Sequence, residues 1–141
     1  MAGRADDRDF LEAWGHAWSG GDADAVLPFY ATDAVYTDVA SGVTFKGHDE
    51  IRRFYRWLMA FSADSSTVFD AAYGDGVGLC ARWTWSGTAA GPLSVHGHLY
   101  PATGRPFSVT GVAFCTLAPD GRVATHEDYW DLHTLLRQLG L

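Results

Sequence analysis

The chain has 141 residues, of which 48% are hydrophobic and 14% aromatic, so the composition excludes intrinsic disorder and suits one well-packed domain rather than two. Seventeen acidic residues against ten basic ones give a net charge of −7, which opposes binding to nucleic acid. The longest apolar runs are far shorter than the roughly 20 residues of a membrane span. We therefore expect a single soluble domain over residues 1–141, without a nucleic-acid or membrane partner.

The amino terminus and the cysteines indicate the compartment. The first residues, MAGRADDRDF, lack the apolar segment of a secretion signal, and two cysteines do not make a disulfide framework. Both features favour a reducing, cytoplasmic location. Cys80 and Cys115 fall in strand-like runs without a CxxC or nucleophile motif, so we expect buried free thiols.

The first third of the chain is predicted to be mainly helical. Apolar residues recur at helical spacing between Asp6 and Ser19. The segment SGGD ends this helix, and Asp22 is placed to cap a short second helix that Pro28 makes irregular. After the short strand AVYTDV, a third helix begins near His48. Its predicted buried stripe consists of Ile51, Phe54, Tyr55, Leu58 and Met59.

The remainder of the chain is predicted to be mainly strands. The strand-like runs, separated by turn signals, are STVFDAAY, VGLCARWTWSGT, LSVHGHLY, RPFSVTGVAFCTL and RVATHEDYW. Asp131 then caps a last helix. Helices followed by antiparallel strands predict an α+β domain, in which a curved, mostly antiparallel sheet wraps around helices. Such a cone-shaped roll leaves an internal pocket for a small molecule.

The segment HEDYWD in the last strand holds the best candidate for chemistry. Side chains alternate between the two faces of a strand, so His126, Asp128 and Trp130 share one face, and Glu127 lies on the other. A carboxylate that faces an aromatic cavity loses hydration and becomes a better proton acceptor, which favours Asp128 as a general base. His126 either supplies a proton to the same cavity or is a hydrogen-bonded histidine at its rim.

The order of these segments carries a family resemblance. The stretches FLEAWGHAWSGGDADAVLPFYATDAVYTDVASGVTFKGHDEIRRFYRWL and PATGRPFSVTGVAFCTLAPDGRVATHEDYWD resemble the SnoaL-like polyketide cyclases of the NTF2-like superfamily. They are also similar to the limonene epoxide hydrolase branch. The resemblance implies a conical α+β barrel, commonly a homodimer through the outer face of the sheet, with the active site deep in the cone. It also implies an acid/base role for the aspartate that matches Asp128.

The two branches differ in the partners of that aspartate. The epoxide hydrolases use a Tyr-x-Asn pair in the first strand, which Tyr36 and Asp38 resemble, with an acceptor-only carboxylate in place of an amide. They also carry an Arg-x-Asp pair at about the place of His96 and His98, and this chain lacks it. The cyclases pair the aspartate with a histidine from the preceding strand, which is also absent. His126, His96 or His98 would then take that role.

The aromatic residues and a metal alternative complete the candidate site. We expect the pocket to be lined by rings and polar groups, which are Trp14, Trp18, Trp57, His96, Phe107 and Trp130, although buried aromatics more often form core. The catalytic candidates are Asp128, His126, Tyr36, Asp38 and His98. His96-x-His98 with His126 and Asp128 would form a metal site only if all four converge, and VHGH is alternatively an exposed hairpin. We expect neither metal nor cofactor.

Three functional hypotheses follow from these residues. The first is an acid/base enzyme of secondary metabolism, a cyclase or isomerase, that acts on a hydrophobic carbonyl-bearing small molecule. The second is an epoxide-opening hydrolase or cyclase that uses the same pocket. The third is a non-catalytic binding or assembly module. An open cavity that contains Asp128 would favour the enzymes, and a cavity filled by its own Trp and Phe side chains would favour the third.

Overall fold

The computed structural model describes residues 8–141, so the predicted helix start at Asp6 lies outside the described residues. The elements follow the chain in this order: α1 (Arg8–Ser19), α2 (Ala23–Val26), a 3₁₀ turn (Leu27–Phe29), β1 (Tyr30–Asp38), β2 (Val43–Lys46), α3 (Gly47–Phe61), β3 (Ser66–Gly74), β4 (Gly78–Thr88), β5 (Leu93–Val95), β6 (His98–Tyr100), β7 (Pro106–Leu117), β8 (Val123–Trp130) and α4 (Leu132–Gln138). None of the helices within residues 8–141 has the length and apolar character that crossing a membrane requires.

Side-chain caps start two of the helices, as predicted. The carboxylate of Asp22 accepts a hydrogen bond from the backbone N–H of Asp24 at 2.9 Å and begins α2. Pro28 lies in the 3₁₀ turn that follows, which explains the irregularity there. Asp131 accepts from the N–H of His133 at 3.0 Å and begins α4. The role of Asp131 is therefore structural.

The main sheet has six strands in the order β2-β1-β8-β7-β4-β3. β1 and β8 run parallel, and the other neighbouring strands run antiparallel. The predicted α+β architecture with a mostly antiparallel sheet is thus confirmed. The parallel pair joins the first strand of the chain to the last, and it places the two segments with the most candidate residues side by side.

The helices cover one face of the sheet. α1 packs against β3, and α3 packs against β1 and β2. In β7 the side chains alternate strictly, so that Phe107, Val109, Ala113 and Cys115 are buried on the inner face. The predicted burial is correct for Cys115, whereas Cys80 has the opposite orientation on β4 and is only partly buried.

The outer face of the sheet is largely free of helices and carries exposed apolar side chains. Val112 is 40% exposed, Phe114 50% and Tyr129 48%. These three residues lie on β7 and β8, whose outward positions neighbour one another in the register. The homodimer through this face stays a prediction.

Candidate active site

A cavity lies between the helices and the inner face of the sheet. Its wall is mainly aromatic, with Trp18, Phe54, Trp57, Phe69 and Trp85 among its residues. Its polar side chains come mostly from the parallel pair of strands and the loop after β1. The empty space, including solvent at the mouth, is ≈ 740 Å³. The cavity is open and is not filled by the protein's own rings.

The register between β1 and β8 builds the polar end of the cavity. Tyr36 pairs with His126, and Asp38 pairs with Asp128. Because paired residues of neighbouring strands point to the same face, these four side chains all reach the inner side. Each of them is at most 8% exposed.

Asp128 accepts hydrogen bonds from three side chains. The Tyr36 hydroxyl donates a hydrogen bond to its Oδ2. Trp83 Nε1–H donates to Oδ1 at 3.0 Å, and His126 Nε2–H donates to Oδ1 at 2.7 Å. A carboxylate oxygen has two lone pairs, so Oδ1 is saturated and Oδ2 retains one. Since Asp128 lines the cavity, Oδ2 is the atom that can accept a proton from a ligand.

Trp83 reaches Asp128 across an intervening strand. Trp83 lies on β4 and Asp128 on β8, with β7 between them, and Gly111 of β7 pairs directly with Trp83. A Cβ at Gly111 would collide with the six-membered ring of Trp83. Glycine in a strand interior weakens the strand and often marks such a close approach. Gly111 therefore lets the Trp83 ring cross β7 and donate to the carboxylate.

His126 connects Asp128 to a deeper buried tyrosine. Its Nδ1 lies 2.9 Å from the hydroxyl of Tyr30, and its ring stacks on Tyr36 with centroids 4.1 Å apart. Burial is the largest single effect and lowers the pKa of His126, but the charges of Asp128 and Cys115 and the hydrogen bonds to these two residues together outweigh it and raise this pKa to about 10. His126 is thus an imidazolium near neutral pH, hydrogen-bonded to Asp128.

The remaining two groups hold protons more tightly than usual. Burial, reinforced by the charge of Asp128, raises the pKa of Tyr36 well above its ordinary value, so Tyr36 stays a neutral phenol that donates to Asp128. Burial also raises the pKa of Asp38, against hydrogen bonds from Trp130 and Ser41 that lower it. Trp130 Nε1–H donates to Asp38 Oδ1 at 2.8 Å, and the Ser41 hydroxyl donates to Oδ2 at 2.9 Å.

The structure places most of the predicted site residues at the cavity. They are the four polar residues Tyr36, Asp38, His126 and Asp128 and the three rings Trp18, Trp57 and Trp130. The alternation of side chains along β8 therefore predicted correctly which residues of this strand face inward. The outer-face residue Tyr129 is half exposed. The catalytic and binding roles of these residues stay predictions.

The two histidines of VHGH require a correction. His96 and His98 are both exposed and lie outside the set of residues that lines the cavity. His96 and Gly97 have φ of 51° and 74°, so they form the tight turn of a β5–β6 hairpin instead of continuing one strand. The His96 Nε2–H donates to the carbonyl of Ala40 at 3.0 Å. The alternative of an exposed hairpin is confirmed.

The predicted lining by Trp14 and Phe107 also requires a correction. Trp14 is fully buried one turn before Trp18 on α1, and its ring stacks on Phe69 with centroids 4.2 Å apart. Phe107 is buried against Trp85, with centroids 4.6 Å apart. Both rings pack behind the residues that face the cavity, so they belong to the core.

Several contributors to the site did not stand out in the sequence. Trp83 and Ser41 each donate to one of the carboxylates, and Tyr30 contacts His126. The glycine inside the strand SVTGVAF is the one signal that could have indicated a close approach over β7. Within residues 8–141, no group of three or more His, Cys, Asp or Glu side chains is arranged to hold a metal ion.

Comparisons with known proteins agree with this architecture. A profile described as the SnoaL-like domain matches residues 8–126. The structure of TsrD from Streptomyces laurentii is similar with a TM-score of 0.79 and 30% identity, and the match covers 99% of this chain and 98% of TsrD. A search of curated proteins gives no significant match.

Two further solved structures share the fold. IdmH from Streptomyces antibioticus, described as a candidate polyketide cyclase, has a TM-score of 0.73 and 25% identity over 94% of this chain and 97% of its own. A Catenulispora acidiphila protein with a ketosteroid isomerase-like fold, solved with trimethylamine, has a TM-score of 0.78 and 23% identity over 95% of this chain and 94% of its own. The latter similarity concerns the fold alone. The predicted NTF2-like fold is thus confirmed.

Proposed function

We propose that this chain, which belongs to the SnoaL-like domain family, is an acid/base enzyme, a cyclase or isomerase of secondary metabolism that acts on a hydrophobic, carbonyl-bearing small molecule. One observation carries the proposal: among the described residues, two side chains donate to Oδ1 of Asp128 and one to Oδ2, and this carboxylate lines the polar end of an open aromatic cavity. The similarity to IdmH, itself described as a candidate polyketide cyclase, supports the same reaction class.

The chemistry begins with proton transfer to Asp128. Its Oδ2 removes a proton from the carbon next to a carbonyl group, and the C–H electron pair forms the enolate. Tyr36, Trp83 and His126 fix the carboxylate from three directions, so no reorganisation is needed when it reacts. General base catalysis of this kind contributes roughly 10²–10⁴-fold to a rate.

The wall of the cavity indicates the class of substrate. Trp57 and Trp85 come from different elements, yet both line the same space, and Leu93 and Val95 of β5 extend the apolar lining. Planar or polycyclic compounds fit such a lining, because aromatic faces bury large flat surfaces with little loss of side-chain entropy. The substrate is therefore expected to place its carbonyl at the polar end and its rings against the aromatic wall.

The other two hypotheses have less support. An assembly module would be expected to fill its own cone, whereas this cavity is open and carries a carboxylate that has an unoccupied lone pair. For the epoxide-opening reaction, the arginine of the epoxide hydrolase pattern would be needed at the cavity, and among the described lining residues there is none. No observation favours either alternative over acid/base chemistry.

The experiment is hydrogen–deuterium exchange of a model ketone. Wild-type protein in D₂O is incubated with 1-tetralone and with 2-tetralone, and exchange next to the carbonyl is followed by ¹H NMR. We expect catalysed exchange, a decrease of about 10²–10⁴-fold in Asp128→Asn, and a normal rate in Glu127→Gln, which changes a neighbouring carboxylate on the outer face. Exchange at the uncatalysed rate with both ketones, or equal rates for wild type and Asp128→Asn, contradicts the proposal.

A further inference from the structure

Two carboxyl groups face the cavity from directly paired positions. Asp38 ends β1 and Asp128 lies next to it on β8, and each is 8% exposed. We propose that these groups divide the reaction between them: Asp128 is the base, and Asp38 is the general acid that protonates the substrate oxygen on which negative charge develops. This inference rests on the proposed function and assigns the second half of its chemistry.

The two carboxyl groups differ in how strongly the ionised form is stabilised. Asp128 accepts from Tyr36, Trp83 and His126, and the last of these carries a positive charge. Among the described residues, Asp38 accepts hydrogen bonds from the side chains of Trp130 and Ser41 and from the backbone N–H of Ala40, all of them neutral. Donors and cations favour the ionised form of a carboxyl group. A proton shared by the two groups therefore resides on Asp38.

Mutual repulsion strengthens this division. Two carboxylates on adjacent strands of one buried face disfavour double ionisation, and the better-stabilised group ionises first. Among the described residues, the titratable groups around Asp38 are Asp128 and Tyr36, with His126 next to Asp128 and His96 on the carbonyl of Ala40 in the loop that follows Asp38. Burial and the charge of Asp128 both raise the pKa of Asp38, in agreement with the assignment from the hydrogen bonds.

Five side-chain donors around the two carboxyl groups are already engaged. Tyr36, Trp83 and His126 direct their hydrogens to Asp128. Trp130 and Ser41 direct theirs to Asp38. None of these five groups can donate to a substrate oxygen without giving up its carboxylate. A protonated Asp38 has a hydrogen of its own to give, and its side chain lines the cavity.

A ring closure between two carbonyl groups of one substrate uses both residues. Asp128 Oδ2 takes the proton from the carbon next to the first carbonyl, and the C–H electron pair forms a bond to the carbon of the second carbonyl. The π electrons of that second carbonyl move to its oxygen, which takes the proton of Asp38. The product is a cyclic β-hydroxy ketone, and transfer of one proton from Asp128 to Asp38 restores the enzyme.

The first arm of the test measures protonation without a substrate. The protein is labelled with ¹³C-aspartate, and the carboxyl resonances are assigned with Asp38→Asn and Asp128→Asn and followed between pH 4 and 9. We expect Asp38 to bind a proton at higher pH than Asp128. Ser41→Ala removes a donor to ionised Asp38 and should move its titration to still higher pH. If Asp128 instead binds a proton at higher pH than Asp38, the proposal is overturned.

The second arm measures exchange of 2-tetralone as a function of pH. We expect Asp38→Asn to slow exchange by about 10²-fold and to remove the decline of the wild-type rate at high pH, while Asp128→Asn removes the decline at low pH. An unchanged rate and pH profile in Asp38→Asn overturns this proposal but leaves the proposed function intact. If the wild type shows no exchange, the proposed function fails, and the titration still decides which carboxyl group holds the proton.

Discussion

Strand β8 presents an acid and an aromatic ring on each of its faces, with opposite consequences. The inner face carries Asp128, which is 8% exposed, beside Trp130 at the cavity. The outer face carries Glu127 beside Tyr129, which is 48% exposed. Glu127 is the chain neighbour of Asp128, and Tyr129 is the chain neighbour of Trp130, so the two faces carry similar residue types. Enclosure by the helices, rather than residue type, therefore separates a candidate site from an ordinary surface.

The difference between the faces concerns hydration and partners. On the inner face, protein donors replace water around the carboxylate, and the charged pair of His126 and Asp128 forms away from solvent. On the outer face, side chains such as Thr116 and Thr125 bond to one another at the surface. Substitutions that remove a hydrogen-bond partner on the inner face should alter the activity and the pH dependence of activity or stability. Matched substitutions at exposed positions should not.

The largest expected effect is on stability as a function of pH. The folded state raises the pKa of His126 from 6.5 to about 10 and so binds more protons than the unfolded state in this window. Its contribution to stability is fully present below about pH 6.5 and is lost as the pH rises through about 10. Urea unfolding should show a free energy that falls across this window by a few kcal/mol.

The control for this effect is an exposed histidine. His126→Gln should lose the slope between these pH values, whereas His98→Gln should keep it. A ¹⁵N NMR titration of the wild-type imidazole gives the same answer without a variant. A ring nitrogen that titrates near the ordinary value for histidine contradicts the prediction.

The next effect comes from the hydroxyl group that donates to Asp128. Tyr36→Phe removes one of the three donors and destabilises the ionised base, by about 1.5–3 kcal/mol for a hydrogen bond to a charged group. The low-pH decline of the 2-tetralone exchange rate should move upward by about 1–2 pH units. Tyr129→Phe removes the matching hydroxyl on the outer face and should leave the profile unchanged. Equal profiles for both variants contradict the role of Tyr36.

A loss of free energy of similar size is expected from a substitution at Gly111, where the Trp83 ring crosses β7. Gly111→Ala places a methyl group against the Trp83 ring and should cost about 1–3 kcal/mol of stability through overpacking. It should also shift the indole N–H resonance of Trp83 in ¹⁵N NMR, because the hydrogen bond to Asp128 is displaced. Ser108→Thr adds a methyl group on the outer face of the same strand and serves as control. An unmoved Trp83 resonance contradicts the inferred crossing.

The smallest effect concerns the rim of the inner face. His96→Ala removes the hydrogen bond between the hairpin and the carbonyl of Ala40, worth about 0.5–1.5 kcal/mol. Amide hydrogen exchange in β5 should become faster, and the KM for a ligand should rise more than kcat falls, because Leu93 and Val95 line the cavity. His98→Ala is the neighbouring control. Equal exchange in both variants contradicts the role of His96 in holding the hairpin.

Patterns within single segments predicted much of the architecture. Of the predicted helical stripe, Ile51, Phe54 and Tyr55 are buried and Leu58 and Met59 are partly buried, and Asp22 caps its helix as expected. The alternation of side chains along β8 and β1 predicted which residues face inward, because both strands are regular in the region that carries Tyr36 and Asp128. Local periodicity is reliable where the backbone keeps one conformation.

The same reasoning gave a wrong placement where the backbone changes conformation. His96 and His98 are two residues apart, and strand spacing placed them on one face. The positive φ of His96 reverses the chain between them, so the spacing carries no information about a shared face. For Trp14 the orientation towards the helix-covered interior was correct, but the depth at which its ring stacks on Phe69 depends on packing between two elements.

The sequence by itself determined the helix stripes, the caps, the alternation of each strand and the resemblance to the SnoaL-like family, because these depend on residues close together in the chain or on the order of segments. Only the tertiary structure decided which side chains meet. The parallel pairing of β1 with β8 brings Asp38 beside Asp128 across 90 residues of chain, and Gly111 lets Trp83 reach the same carboxylate. Such contacts depend on strand order and close packing, which no local pattern specifies.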